Sequence, residues 1–392
     1  MRRLLIDRRG ALTRCALLGD GILTDLAIDH ANHPGWLGAV ALGRVTRIAA
    51  GLDAAFVDFG DRVPGLLSAA DVRPARRDAK IGQLLRTGQS VLVQVKADAH
   101  GDKGASLTGD ISLPGRFLVY TPLGDGLHLS KRLGKGPQVN ALRALFAAEL
   151  PNQGGWIVRG EAAGVDPGLV LAEAEALLAR WRPASLALGG AAPRTLIPPP
   201  DALRRAVTEL PRDGLAEIMV EGAELLASVK AMLADDAPDL LALVKPWKPG
   251  DGRRLFDQGD VDGEIARAAG RRVPLAYGGS LVIDRAEALT VVDVNGGERG
   301  NPLATNLDAC PEIARQLRLR NIGGIVVVDF VNMGRAGDRD AVVRALSEAV
   351  AADPVATHVY GMSRLGLVEV TRARRGPALA DLLALDGNDE DE

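Results

Sequence analysis

The sequence predicts a mixed α/β protein that carries a small closed β-barrel, and three observations lead there. Five short β-type segments follow one another between Trp36 and Leu113, punctuated by Gly, Asp and Pro. Between residues 280 and 330, two β-branched runs flank a stretch with helical spacing, the pattern of a strand–helix–strand crossover. At 392 residues the chain exceeds what one hydrophobic core usually fills, so two or three domains are expected.

Residues 1–35 read as alternating strands with "GDG" as a turn. The segments "GAVALGRVTRI", "AAFVDFG", "PGLLSA", "SVLVQVKA" and "ASLTGDISL" come next, and their number and length suit a barrel of the OB type, a fold that often holds single-stranded nucleic acid. Residues 115–185 are mixed and end in "PGLVLAEAEALLARWR", an amphipathic helix with Leu171, Ala174, Leu178 and Trp181 near one face. The Gly- and Pro-rich "LGGAAPRTLIPPP" reads as a boundary. Helices are expected near 201–210 and 220–234, then "SLVID" and "LTVVDV" as a hairpin. Leu303, Leu307, Cys310, Ile313, Ala314 and Leu317 then recur at helical spacing before "IVVVDF". A right-handed crossover makes the two flanking strands parallel, and ligands in such sheets bind at the strands' carboxyl ends.

Both runs break off in an acid, Asp293 and Asp329, at those ends. On an extended strand Asn295 shares a face with Asp293, because side chains alternate with a period of two. Two carboxylates, an amide oxygen and waters form an all-oxygen set that suits Mg²⁺ or Mn²⁺ and not zinc. Strand-end acids serve equally to cap a following helix or to satisfy loop amides, and the pattern by itself leaves both roles open.

Composition narrows the classes. Hydrophobic residues at 47% with 25% charged describe a soluble globular chain without extended disorder. Two cysteines, Cys15 and Cys310, cannot build a disulfide framework or a Cys-rich zinc site, which fits a reducing cytoplasm. The amino terminus lacks the apolar middle of a signal peptide, and no uncharged run reaches the roughly 18 residues of a membrane span, so a cytoplasmic protein without a membrane partner is expected. The five histidines show no metal-binding spacing, and no phosphate-loop motif occurs. Formal net charge is −3, and without the five acids of the terminal "DGNDEDE" the remainder is +2, which neither supports nor excludes nucleic acid. That acidic end is expected to be a solvated, mobile tail.

The segment "EALTVVDVNGG", followed by "ATNLDACPEIARQLRLRNIGGIVVVDFVNM", closely resembles the catalytic core of the ribonuclease E/G family. The likeness extends through "GRVTRIAAGLDAAFVDFG", "GDKGASLTGDISLPG", "WIVRG" and "GGSLVID" upstream, and through "SRLGLVEVTRARRGPALADLL" downstream, in the family's order. It implies a Mg²⁺-dependent endoribonuclease that cuts single-stranded RNA through metal-activated water, leaving 5′-phosphate and 3′-hydroxyl ends, in RNA processing or decay. The implied fold is an RNase H-like domain (1–35 and 199–278) interrupted by an OB-fold RNA-binding domain (36–114) and a 5′-sensor region (115–198). A deoxyribonuclease-I-like catalytic subdomain (279–384) and the acidic tail (385–392) follow. By the same resemblance, Asp293 and Asp329 are metal ligands and Asn295 the supporting amide. Arg159, with Gly115 and Val119, forms the pocket for a 5′-monophosphate. Phe56 is a platform for an RNA base, Lys103 is a basic residue near the cleavage site, and Lys131, Arg132, Arg372 and Arg374 contact RNA elsewhere.

Several positions depart from the family pattern. Gly160 replaces a threonine beside Arg159, Leu66 replaces a second aromatic, and "GGERGNPLA" is a shortened loop in which Arg299 is the remaining arginine. A Cys-x-x-Cys zinc link is missing where the family carries one, so no zinc is expected, and a monomer or a dimer formed without zinc is. A non-catalytic RNA-binding protein on the same fold and a phosphoesterase acting on DNA or a small ester are the competing functions.

Overall fold

In a computed structural model the described residues are all but 75–77, 100–102, 210–213, 249, 251, 299 and 390–392. Strands β1 (Arg2–Arg9), β2 (Leu12–Gly19) and β3 (Ile22–His30) form an antiparallel meander whose buried face carries Leu5, Leu12, Ala16, Leu18, Leu23 and Ile28.

The barrel comes next: β4 (Val40–Ala49), β5 (Ala54–Asp58), β6 (Gly65–Ser68), the one-turn α1 (Ile81–Leu84), β7 (Ser90–Ala97) and β8 (Ser106–Thr108). A bulge between Val45 and Arg47 bends β4, so its first half pairs with β7 and its second half with β5. The ladder β4–β5–β6–β8–β7 thereby returns to β4 and closes a five-stranded barrel. Inward-pointing Val45, Val57, Leu67, Val93, Val95 and Leu107 fill it.

A second small sheet, in the order β11–β12–β10–β9, consists of β9 (Leu113–Pro114), β10 (Leu118–Thr121), β11 (Leu127–Leu129) and β12 (Gly155–Val158), with α2 (Pro137–Glu149) between the last two. Helix α3 (Pro167–Leu186) starts with Pro at its first position and with Asp166 Oδ1 accepting from Gly168 N at 2.9 Å. Strand β13 (Arg194–Ile197) lies within the stretch expected to be a boundary, and instead it pairs with β4 of the barrel. Helix α4 (Ala202–Glu209) follows.

Strand β14 (Leu215–Val220) runs parallel to β1, and after α5 (Ala223–Asp236), β15 (Val244–Pro246) extends that first sheet to the order β15–β14–β1–β2–β3. After α6 (Val261–Ala269) the last sheet is built from β16 (Arg272–Pro274), β17 (Ser280–Arg285), β18 (Leu289–Asn295), α7 (Pro302–Leu319), β19 (Gly324–Asp329), α8 (Ala336–Ala351), β20 (Thr357–Met362) and β21 (Leu367–Arg372). Its order is β16–β17–β18–β19–β21–β20. Helix α9 (Leu379–Asp389) continues into the stretch expected as a mobile tail, where Asp386 Oδ1 accepts from Ala11 N at 3.3 Å.

The chain divides into two compact units, one of residues 1–34, 210–227 and 243–392, the other of 35–209 and 228–242. Among the described residues no helix is long and apolar enough to cross a membrane.

Candidate active site and phosphate pocket

The first site grows out of β18 and β19. Thr290, Val292 and Val294 of β18, with Val326 and Val328 of β19, are buried in the core that Cys310, Ile313, Ala314 and Leu317 of α7 share. Each of these buried valines contributes about 1.5–3 kcal/mol by leaving water, so a one-residue slip of either strand is strongly opposed. Period-two alternation then places Val291, Asp293 and Asn295, with Ile325, Val327 and Asp329, on the opposite face. Leu307, grouped by spacing with the buried positions of α7, is exposed, while Asn306 beside it is fully buried.

The parallel register pairs Asp293 directly with Asp329 on strands about 4.8 Å apart. Asn295 Nδ2 donates to Asp293 Oδ2 at 2.8 Å, which ties the amide to the first acid. Asp329 is exposed and makes no hydrogen bond or ion pair among the described residues; Asp293 has Asn295 as its hydrogen-bond partner. Neither acid caps a helix: the cap of α7 is Asn301, whose Oδ1 accepts from Ala304 N. The backbone beyond Asp329 is fixed by Asn306, whose Nδ2 donates to Val331 O at 2.8 Å and whose Oδ1 accepts from Val331 N at 3.0 Å. On the other side the loop after Asn295 passes so close to Tyr277–Gly279 that a Cβ on Gly297 would fall 2.0 Å from Tyr277 O. Only glycine fits there. Arg299 lies outside the described residues. No cluster of three or more His, Cys, Asp and Glu side chains forms among the described residues. An ion at this place would therefore rest on two carboxylates and an amide oxygen, a hard-oxygen set that fits Mg²⁺ or Mn²⁺.

The second site is the turn 115–117 between β9 and β10. Its amides converge: Arg116 N, Phe117 N and Leu118 N all donate to the carboxylate of Glu173 on α3, at 2.5, 2.7 and 2.8 Å. Burial holds the Glu173 carboxyl above its ordinary range, and the three amides oppose that shift only in part. In all three contacts Glu173 is the acceptor, Oε1 taking Arg116 N and Oε2 taking Phe117 N and Leu118 N. Arg159, at the end of β12, is fastened to the same turn twice, its backbone N donating to Phe117 O at 2.7 Å and its Nη1 to Gly115 O at 2.6 Å. Nη1 also donates to Thr208 O at 3.0 Å, and Nε lies 3.5 Å from Glu161 Oε2. Nη2 makes no hydrogen bond among the described residues. Val119 follows on β10, paired with Ile157 and Pro114. Gly160 has the Arg132 side chain against it: a Cβ there would meet Arg132 Cβ at 3.2 Å.

A model of the Ribonuclease E/G family matches residues 112–375. Ribonuclease G of Escherichia coli (strain K12) is 34% identical over 400 residues, covering 97% of this chain and 81% of that protein. The chain belongs to the ribonuclease E/G family. It is also 32% identical to Ribonuclease G of Haemophilus influenzae over 95% of its length and 79% of that protein's. With Ribonuclease E of Nostoc sp. (strain PCC 7120) it shares 34% identity over 94% of this chain and 55% of that protein.

The remaining expected contacts of this ribonuclease E/G family chain divide unevenly. Phe56 stands on the outer face of the barrel in a register row with Arg47, Leu66 and Ser106. The guanidinium of Arg47 lies 4.3 Å from its ring centroid, so one face of the ring is covered by a cation. Lys103, Lys131, Arg132 and Arg374 are exposed, with Arg374 lying over Gly323 and Gly324. Arg372 corrects the expectation of an RNA contact. It is buried, pairs with Asp353 through Nε at 2.8 Å and Nη2 at 3.3 Å, and donates from Nη1 to Ile322 O at 2.9 Å. Sequence reasoning missed Glu173, Arg47 and Asn306. For Glu173 a signal existed, because the acid stands next to Ala174 on the helix face that also buries Val170, Leu177 and Leu178.

Proposed function

We propose that this chain is an endoribonuclease that cleaves single-stranded RNA at the Asp293–Asp329 pair. The observation that carries the reading is the register itself: two carboxylates side by side at the ends of parallel strands, capping no helix among the described residues, in a chain of the ribonuclease E/G family. Mg²⁺ or Mn²⁺ bound by Asp293, Asp329 and the Asn295 amide oxygen would supply charge stabilisation at the scissile phosphate and a more acidic water. The protein's own part is placement. Asn295 fixes the Asp293 carboxylate, the Asn306 clamp fixes the backbone after Asp329, and the valine-lined core beneath fixes the two strands. Products with 5′-phosphate and 3′-hydroxyl ends follow from this reading, as do an RNase H-like first sheet, a deoxyribonuclease-I-like last sheet and a barrel that holds RNA. A 5′-labelled, A/U-rich single-stranded RNA is expected to be cut in Mg²⁺ and left whole in EDTA. Binding without products in both Mg²⁺ and Mn²⁺ would make the chain an RNA-binding protein on a retained fold.

In the same reading Arg159 takes the 5′-phosphate of the RNA, through Nη2, which makes no hydrogen bond among the described residues. Arg132 beside Gly160 and exposed Lys103, Lys131 and Arg374 contribute positive charge. On the barrel, an RNA base meets the Arg47–Phe56 pair, with the guanidinium plane as the outer layer. Phe56→Ala is expected to weaken binding of a 3′-fluorescein RNA by about 1–3 kcal/mol in anisotropy titrations. An unchanged affinity would return Phe56 to a plain structural role.

A further inference from the structure

Glu173 does more than stabilise a helix contact. Its carboxylate accepts three successive amides of the turn 115–117 and the residue after it, and a Cβ on Gly115 would lie 2.6 Å from its Oε2. Arg116 N belongs to the same peptide unit as the Gly115 carbonyl, so its bond to Glu173 sets the direction of that carbonyl, and the next two amides are bonded to the same buried side chain. That carbonyl is an acceptor for Arg159 Nη1, and the Phe117 carbonyl of the same turn accepts from Arg159 N.

From this geometry we infer that Glu173 is a positioning residue for the 5′ end of the RNA: it holds the turn that holds Arg159, and so keeps Nη2 aimed at a terminal phosphate. The inference rests on the reading of Arg159 as a phosphate ligand. Successive N–H groups converging on one point make an anion site in many proteins. In this chain the site is filled from within, by a carboxylate whose role is to shape its neighbour. The ligand class is therefore a terminal phosphomonoester recognised by a guanidinium, and the amides of 116–118 are unavailable to it.

The test compares two RNAs of one sequence, 5′-monophosphorylated and 5′-hydroxyl, each labelled at the 3′ end and titrated in EDTA with wild type, Glu173→Gln, Gly115→Ala and Arg159→Ala. Wild type is expected to prefer the monophosphate by about tenfold, the worth of one charge-assisted hydrogen bond. Glu173→Gln keeps the side chain's size but turns a donor toward the amides, while Gly115→Ala pushes the carboxylate from the other side. Both are expected to bring the preference close to one with the 5′-hydroxyl affinity little changed. A purely structural role would lower both affinities together with the thermal midpoint, and that result overturns the inference. So does a wild-type preference in both variants while Arg159→Ala abolishes it, an outcome that leaves the phosphate reading of Arg159 intact. If wild type and Arg159→Ala show the same ratio, the phosphate reading itself is wrong and the inference goes with it.

Discussion

Asp329→Asn is expected to lower the rate of RNA cleavage by about 10²–10³-fold, the usual effect of removing one group that stabilises charge in the transition state. The substitution keeps the side chain's shape and removes a negative charge from a position that is exposed and makes no hydrogen bond or ion pair among the described residues. Stability should therefore change by no more than about 0.5 kcal/mol. RNA affinity should hold or rise slightly, since a like charge is removed from a phosphate's path. Asp293→Asn is expected to do equal or greater harm, because Asp293 Oδ2 also accepts from Asn295 Nδ2 and an amide there would present a donor to a donor unless it turned over. Single-turnover cleavage of a labelled RNA in Mg²⁺, with urea unfolding of each variant, separates the outcomes. Wild-type rates in Asp329→Asn would remove it from the site, and a large stability loss at normal specific rate would revive a structural role for the acid.

That pair was legible because two rules act together. The alternation in "LTVVDVN" and "IVVVDF" fixes which face each acid takes, and the crossover through α7 makes the strands parallel. The five barrel strands were readable from their punctuation, whereas closure depends on the pairing of β4 with β7, some fifty residues on, for which no local pattern exists. The limits are instructive at single residues. Glu173 reads as a polar interruption of an amphipathic helix because its compensation comes from amides 55 to 57 residues away. That Asp329 caps nothing among the described residues is a property of three dimensions only. Arg372 was misplaced for a different reason: "VTRARRG" looks like a basic surface cluster, yet period two puts position 372 on the face of Val368 and Val370. The face was readable, and the buried partner that makes an arginine tolerable there was not.

Arg372→Ala is accordingly expected to act on the fold. The Arg372 and Asp353 side chains are 3% and 2% exposed, and Asp353 also receives Val355 N at 2.9 Å and Thr357 Oγ1 at 3.1 Å. Removing the guanidinium takes two charge-assisted hydrogen bonds from the buried Asp353 carboxylate and a donor from the Ile322 carbonyl, at a cost of about 3–5 kcal/mol. Because the pair joins the end of β21 to the turn after α8 and to the lead-in of β19, the loss should loosen the strand that carries Asp329 as well. A contact to RNA phosphate would behave differently. It would leave the urea midpoint alone, weaken binding evenly across sequences and reduce the salt dependence by the release of about one counter-ion. The double variant Arg372→Met with Asp353→Leu distinguishes the two causes further, since replacing both charges by apolar groups of similar size is often close to neutral where removing one is not. A midpoint in the double variant above that of Arg372→Ala but below wild type, because Val355 N, Thr357 Oγ1 and Ile322 O lose partners, with RNA affinity unchanged throughout, is the result expected for a buried structural pair. A normal midpoint in Arg372→Ala together with a weaker, less salt-sensitive RNA complex would return Arg372 to the RNA-binding surface.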